Sequence, residues 1–197
     1  GADNTAVGKC AAACNTTGAS NAVFGYNSFC ANTTGSNNTA IGEDSLKSNT
    51  TAANNTAVGS DASRKNTTGA QNTAVGAGAL ACNTTGLNNT AMGQAALETN
   101  TTGSCNVAIG RKAMEANTTG GENTMIGLAA GASITTGGTS VGVGRCVLEN
   151  LTTGNNNIAM GNGSGADAVG NFTNQSNKIA IGNNAHDEAL IKIDWTV

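Results

Sequence analysis

Residues 72–88 read NTAVGAGALACNTTGLN, and the pattern begins again at Asn89 with NTAMG and reaches NTTG once more at residues 100–103. The Asn-Thr-Ala-Val-Gly element starts at residues 4, 21, 38, 55, 72, 89, 106, 123, 140 and 157, a period of 17 residues. A last copy, KIAIG at 178–182, follows after 21 residues. Internal repeats of this length indicate a stacked architecture in which each copy is one structural unit.

The composition is poor in large apolar residues, yet it does not indicate disorder. Leu, Ile, Val and Phe make up roughly 15% of the chain, below the ~20% under which disorder is the first expectation. However, only 11% of the residues are charged and the net charge is −3, whereas disordered chains usually carry a high net charge. The regular repeat and the absence of proline favour an ordered chain.

A 17-residue unit is too short for a pair of helices but suits one coil of a parallel β-solenoid, stacked at ~4.8 Å. The sequence therefore predicts an all-β, parallel β-solenoid or β-roll of about eleven coils, with a rod length on the order of 50 Å. Residues 1–161 are interpreted as the repeat solenoid, with ten coils that start at residue 4. Residues 162–197 are interpreted as an interrupted last coil and a C-terminal cap or tip.

The columns of the repeat carry specific expectations. The fourth position is always apolar, as at Val75, and we expect it to face inward from a strand. The fifth position is always Gly in these copies, as at Gly76, where a bend is expected. The ninth position, often Leu as at Leu80, lies in a possible second short strand and faces either its own coil or a neighbouring chain. The Asn-Thr-Thr-Gly segment predicts a further bend, at Gly86, and ladders of hydrogen-bonded Asn and Thr side chains.

One reliable and one intermittent large apolar residue per coil make a thin core. Small cores need help from assembly, so we expect burial between chains as well. Identical rods, intertwined or side by side in a parallel homotrimer, are the simplest such assembly.

These residues resemble a known group of proteins. The run NTAVGxxALxxNTTGxx at 72–88 and 89–105 resembles the repeats of phage and large-virus tail fibres, and NKIAIGNNAHDEALIKIDWTV at 177–197 resembles the stretch before their self-cleaving C-terminal intramolecular chaperone. NVAIG at 106–110 is also similar to the head repeats of trimeric autotransporter adhesins. The resemblance implies a homotrimeric fibre segment in an extracellular virion tail, with neighbouring fibre or tail proteins and a host surface glycan or protein receptor as partners. The alternative is an adhesin or filament head on a bacterial cell surface.

Several function classes find no support in the sequence. There is no basic stripe and little aromatic content for nucleic acid, and no apolar run long enough to span a membrane. The six Cys and the single His match no metal or redox spacing, so no metal or cofactor is expected. No paired carboxylates point to hydrolysis, and the chain is not expected to be an enzyme.

Three patterns remain open to more than one interpretation. The Asn-x-Thr sequons at Asn15, Asn32, Asn49, Asn66, Asn83, Asn100 and Asn117 are better explained as turn and ladder positions than as glycosylation sites. Threonine columns raise a minor ice-binding alternative, although adjacent threonines point to opposite faces of a strand. Cys14 and Cys30 occupy neighbouring positions of successive coils, within reach of a disulfide.

The C-terminal segment differs from the repeats. The insertion within 162–177 is expected to interrupt the ladder, and ALIKIDWTV at 189–197 predicts a closing strand. His186, Asp187 and Trp195 are candidates for a receptor-binding tip, although capping of the solenoid explains the apolar residues equally well.

Overall fold

Eleven short strands form one parallel sheet in chain order. The computed structural model describes residues 1–166 and 171–182. Within them the strands are β1 (Thr5–Val7), β2 (Ala22–Phe24), β3 (Thr39–Ile41), β4 (Thr56–Val58), β5 (Thr73–Val75), β6 (Thr90–Met92), β7 (Val107–Ile109), β8 (Thr124–Ile126), β9 (Val141–Val143), β10 (Ile158–Met160) and β11 (Ile179–Ile181). Each strand pairs with the next one along the chain. The chain is a parallel β-solenoid of about ten turns, as the period predicts; its coils are numbered below from one, which begins at Asn4.

The backbone hydrogen bonds run between coils on every side of the solenoid. In coil five (72–88) the N–H of Thr73 donates to Asn89 at 2.8 Å, that of Leu80 to Ala96 at 3.0 Å, and that of Thr84 to Thr101 at 2.9 Å. Strand, turn and NTTG segments are therefore all joined to the coil that follows. This pairing satisfies the backbone of a chain that has few large apolar side chains.

The third, eighth and ninth positions fill the interior of each coil. In coil five Ala74, Ala79 and Leu80 are fully buried, whereas Val75 is partly exposed on the outside. The expectation that the fourth position faces inward is therefore wrong. The reason is strand alternation: in Thr-Ala-Val the middle residue points inward and both flanking residues point outward. Leu80 lies inside its own coil and does not face a neighbouring chain.

The segment from the sixth to the eleventh position is a turn, and the predicted second strand is absent from the described coils. Gly76 has φ of +136°, as the expected bend requires, and Gly78 and Leu80 are also left-handed, at +69° and +53°. A backbone that enters the left-handed region twice in three residues turns sharply and cannot continue as a strand. Gly86, the other expected bend, has no positive φ printed; a Cβ there would collide with the backbone of the next coil.

Two ladders of buried asparagines flank the NTTG segment, as expected. In the twelfth position the Nδ2 of Asn83 donates to Oδ1 of Asn66 at 2.8 Å, and its own Oδ1 accepts from Asn100 at 2.8 Å. In the first position the backbone N–H of Asn72 donates to the side chain of the preceding coil at 2.9 Å. Nδ2 atoms from both ladders, on Asn72 and Asn83, converge on the carbonyl of Gly86 at 2.9 and 3.1 Å. The polar ladders therefore form an interior layer beside the small apolar core.

Side-chain volumes in coils eight and nine compensate one another. Coil eight has Met125 where other coils have Ala, Ile134 where they have Asn, and Gly131 where most have a large residue. A Cβ on Gly131 would lie 2.8 Å from Cδ1 of Ile134 and 3.0 Å from Cγ of Met125. A Cβ on Gly142 of coil nine would lie 2.6 Å from Sδ of Met125. The two larger side chains thus occupy space that the glycines leave free.

The four-residue insertion does not interrupt the strand ladder, contrary to expectation. Ile158 of β10 pairs with Ile179 of β11, a shift of 21 residues instead of 17. The N–H of Thr152 likewise donates to the carbonyl of Thr173 at 2.6 Å. The coil absorbs the extra residues between Ala166 and Asn171, and the stacking resumes on both sides of them.

Candidate interaction surface

The outer surface of the sheet is an uncharged and partly apolar strip that runs along all eleven strands. We call it the sheet face: the second and fourth side chains of each coil, from Thr5 and Val7 to Ile179 and Ile181. Its exposed fractions are 40% at Phe24, 36% at Ile109 and 49% at Met160. None of its side chains is charged. Contiguous exposed apolar surface of this kind marks an interaction site.

The dimensions of the sheet face limit what can cover it. Eleven strands at ~4.8 Å give a length of about 50 Å, and two columns of side chains give a width of about 10 Å. The strip therefore offers about 500 Å², compared with the ~800 Å² that each partner buries in a standard interface. Flat contact with one partner along this strip alone would make a small interface.

The charges are concentrated on a different side of the coil. We call positions six to eleven of each coil the charged side; it holds thirteen of the sixteen charged residues among those described, namely Lys9, Glu43, Asp44, Lys47, Asp61, Arg64, Lys65, Glu98, Arg111, Lys112, Glu115, Arg145 and Glu149. Three ion pairs join its seventh and tenth positions, at 2.9, 3.3 and 3.0 Å. The first of them, with Asp44, raises the pKa of Lys47 through a hydrogen bond. Because interface cores are depleted of charge, this side is suited to remain in solvent.

The third side also lacks charge. We call positions thirteen to sixteen the threonine side. Its first Thr, as at Thr84, donates through Oγ1 to the carbonyl of Thr101 in the next coil at 2.9 Å. Its second Thr, as at Thr85, is exposed in all nine copies, from Thr17 to Thr153. The expected hydrogen-bonded ladder is thus confirmed for the first Thr, with a carbonyl as acceptor, whereas the second Thr presents its hydroxyl to the surroundings.

Most of the sequon asparagines are buried. Asn32, Asn49, Asn66, Asn83, Asn100 and Asn117 are at most 1% exposed, and each donates through its amide to the preceding ladder residue. A glycan cannot be attached to a buried amide in the folded coil. These positions therefore serve the ladder, as the sequence favours; Asn15, in the first coil, is only partly buried.

The six cysteines are free thiols. Cys14 and Cys30 are neighbours across the first two coils, and the Cys14 N–H donates to the Cys30 carbonyl at 3.1 Å. Burial, followed by the nearby Cys14 and Cys10, raises the pKa of Cys30. Burial and a hydrogen bond to Glu149 raise the pKa of Cys146.

Other kinds of site find no geometry in residues 1–166 and 171–182. No cluster of three or more His, Cys, Asp or Glu side chains in that part of the chain is arranged to hold a metal ion. No helix there is long and apolar enough to cross a bilayer. The tip candidates His186, Asp187 and Trp195, and the predicted closing strand, lie outside the described residues.

The sheet face is the feature that the sequence interpretation missed. A signal for it was present in the repeat, because the third position changes in step with the ninth and twelfth, as Met125, Gly131 and Ile134 do in coil eight. Positions that exchange volume share one interior, and the fourth position does not take part in this exchange.

Comparison with known proteins returned no match: no family model, no curated protein and no solved structure is similar to this chain.

Proposed function

We propose that this chain is a structural segment of an extracellular fibre, a viral tail fibre by its resemblance, and that it acts in host attachment as a parallel homotrimer. The proposed role is mechanical, without catalysis or a cofactor. The observation that carries it is the uncharged sheet face, which continues over all eleven coils of a straight stack.

Identical copies are the best match for this face. A second copy laid parallel and in register presents the same column, with the same spacing, at every coil. Apolar side chains such as Ile109 and Ile126 would then pack against their equivalents along the full length. A partner without a 17-residue period would match this face at only a few coils.

The narrow strip and the distribution of charge favour three copies over two. Around a threefold axis each strip contacts two neighbours, and the flanking uncharged threonine side adds to the buried area. The charged side then faces outward over the whole assembly. This arrangement increases the buried area above the ~500 Å² available to a flat pair.

Attachment follows from the repetition of weak contacts along a stiff rod. Surfaces that recur at every coil and in every copy bind a host surface glycan or protein receptor at several points at once. Linked weak contacts of this kind strengthen retention by about 10²–10⁴ over a single contact. Neighbouring fibre or tail proteins would hold the rod at its ends.

Two matched variants test this function. Val75→Lys places a charge on the sheet face, and Ala77→Lys places the same charge two residues further on, at an exposed position of the charged side. Labelled wild-type protein and both variants are applied to a glycan array and to a panel of intact bacterial and algal cells, and dissociation is followed during washing. We expect wild type and Ala77→Lys to be retained alike and Val75→Lys to dissociate about 10²-fold faster. Wild type that binds no surface, or equal retention of all three proteins, would contradict the proposal.

A bacterial adhesin head has the same geometry, and the segments encoded upstream discriminate between the two. A virion-attachment domain supports the fibre, whereas a membrane anchor supports the adhesin.

Ice binding is a second candidate because the second Thr of every NTTG segment forms an exposed column. A thermal-hysteresis measurement decides it: growth of ice at the equilibrium freezing point in the presence of the protein excludes this function.

A further inference from the structure

Three of the six cysteines are gathered in the first two coils. Cys10 and Cys14 belong to coil one (4–20) and Cys30 to coil two (21–37). The backbone N–H of Cys14 donates to the carbonyl of Cys30 at 3.1 Å. Parallel segments joined in this way lie about 4.8 Å apart, within the Cα separation of roughly 4.4–6.8 Å that a disulfide spans.

Side chains at these positions of the coil point toward one another. The seventh and tenth positions of one coil form ion pairs in three other coils, for example Asp44–Lys47 at 2.9 Å and Lys112–Glu115 at 3.0 Å. Cys10 occupies the seventh position of coil one and Cys30 the tenth position of coil two. The Cys30 thiol is therefore near both cysteines of coil one, and the electrostatic effect of Cys14 and Cys10 on its pKa agrees with this placement.

We propose that these thiols form an oxidative staple in which a Cys14–Cys30 disulfide ties coil one to coil two, with Cys10 as the neighbouring thiol that can exchange into the bridge. Cys14 is the preferred partner because its backbone is bonded directly to that of Cys30. The remaining cysteines have no such neighbour: Cys82, Cys105 and Cys146 lie at the eleventh, seventeenth and seventh positions of coils five, six and nine.

The staple lies where the described stack is weakest. All three residues of β1 are exposed, and Val7 is 56% exposed. The ninth position of coil one is Ala12, which is only partly buried, where coil two has the fully buried Phe29. Among the described strands, β1 pairs only with β2. Segments with few buried contacts open first, so a bond across this junction has its greatest effect here.

The chemistry requires an external oxidant, and glutathione disulfide suffices. The thiolate of exposed Cys14 attacks one sulfur of glutathione disulfide, forming a mixed disulfide and releasing one glutathione thiolate. The thiolate of Cys30 then attacks the Cys14 sulfur and displaces the second glutathione. Two protein thiols are oxidised to one disulfide, one glutathione disulfide is reduced to two glutathione molecules, and the two thiol protons pass to solvent or to glutathione.

The distribution of protease sites makes the bridge easy to assign. Trypsin releases residues 10–47 as one peptide that contains all three thiols. Chymotrypsin then separates Cys14 from Cys30 by cutting after Phe24 or Tyr26. After incubation of the full chain with glutathione disulfide, we expect this peptide to lose two hydrogens and its chymotryptic halves to stay linked until reduction.

Two single variants and one dynamic measurement complete the test. Cys30→Ser abolishes the linked fragments, whereas Cys82→Ser, the matched control, leaves them unchanged. Hydrogen exchange of the coil-one amides slows by at least about tenfold on oxidation of wild type and is unaffected by oxidation of Cys30→Ser. Linked fragments from two different chains, a Cys10–Cys14 bridge within coil one, or a peptide that keeps all its thiols would each overturn the proposal.

Discussion

The asparagine ladder makes a prediction that can be computed bond by bond. Asn83→Ala removes a fully buried side chain that makes three hydrogen bonds, to Asn66, Asn100 and the Gly86 carbonyl. The Gly86 carbonyl keeps its second donor, Asn72. Two buried groups then lack partners, namely Oδ1 of Asn66 and one N–H of Asn100.

The expected cost follows from these two groups. A buried polar group without a partner costs about 1–3 kcal/mol, so Asn83→Ala should lower the free energy of unfolding by about 2–6 kcal/mol. Asn117→Ala is the matched control, because Asn117 is the last rung and Ile134 occupies the next twelfth position. The Oδ1 of Asn117 already has no partner. Its replacement orphans Oδ1 of Asn100 but removes one existing orphan, so the cost should not exceed about 1–2 kcal/mol.

Guanidinium unfolding followed by circular dichroism measures both variants. The protein concentration must be the same in all samples, because assembly makes apparent stability depend on concentration. If Asn83→Ala and Asn117→Ala lowered the free energy of unfolding equally, the ladder would not be acting through paired buried amides, and the reasoning would be refuted.

The remaining predictions concern backbone conformation, packing and thiol chemistry. Gly76→Ala, at φ +136° with its new Cβ 2.6 Å from the backbone of the next coil, should lower the melting temperature much more than Gly78→Ala, at φ +69° with open space around it. Gly131→Leu, although it restores a common ninth-position residue, should destabilise by about 1–3 kcal/mol on denaturation because neighbouring side chains already fill that space. Cys146 should react slowly with iodoacetamide at neutral pH and faster as the pH rises through its raised pKa, and Glu149→Gln should speed the reaction near neutrality by removing a carboxylate that stabilises the neutral thiol. Peptide mass spectrometry of the alkylated chain measures that rate, and equal rates with and without Glu149 would contradict the assignment.

Much of the coil was accessible from sequence because the repeat registers itself. A constant period fixes which residues lie above one another, so the parallel pairing, the bend at Gly76 and the ladder through Asn83 could all be predicted. These features depend on identity along a column. They do not require knowledge of how one coil folds back on itself.

The direction of each column was harder to predict, because it depends on the path of the turn. Val75 is larger than Ala74, and size alone placed it inside. The interior is narrow, however, because Leu80 from the turn already occupies it, and only Ala fits opposite. Two left-handed residues at Gly78 and Leu80 create this turn, and a Leu in that conformation is not expected from sequence because positive φ is uncommon outside Gly, Asn and Asp.

The central claim is that the sheet face joins identical chains, and the mass of the particle in solution tests it most directly. Sedimentation equilibrium at micromolar concentration should show wild type and Ala77→Lys at three times the chain mass, with Val75→Lys shifted toward the single chain. A wild-type chain that sediments as a monomer, or a Val75→Lys variant that stays trimeric, would contradict the claim.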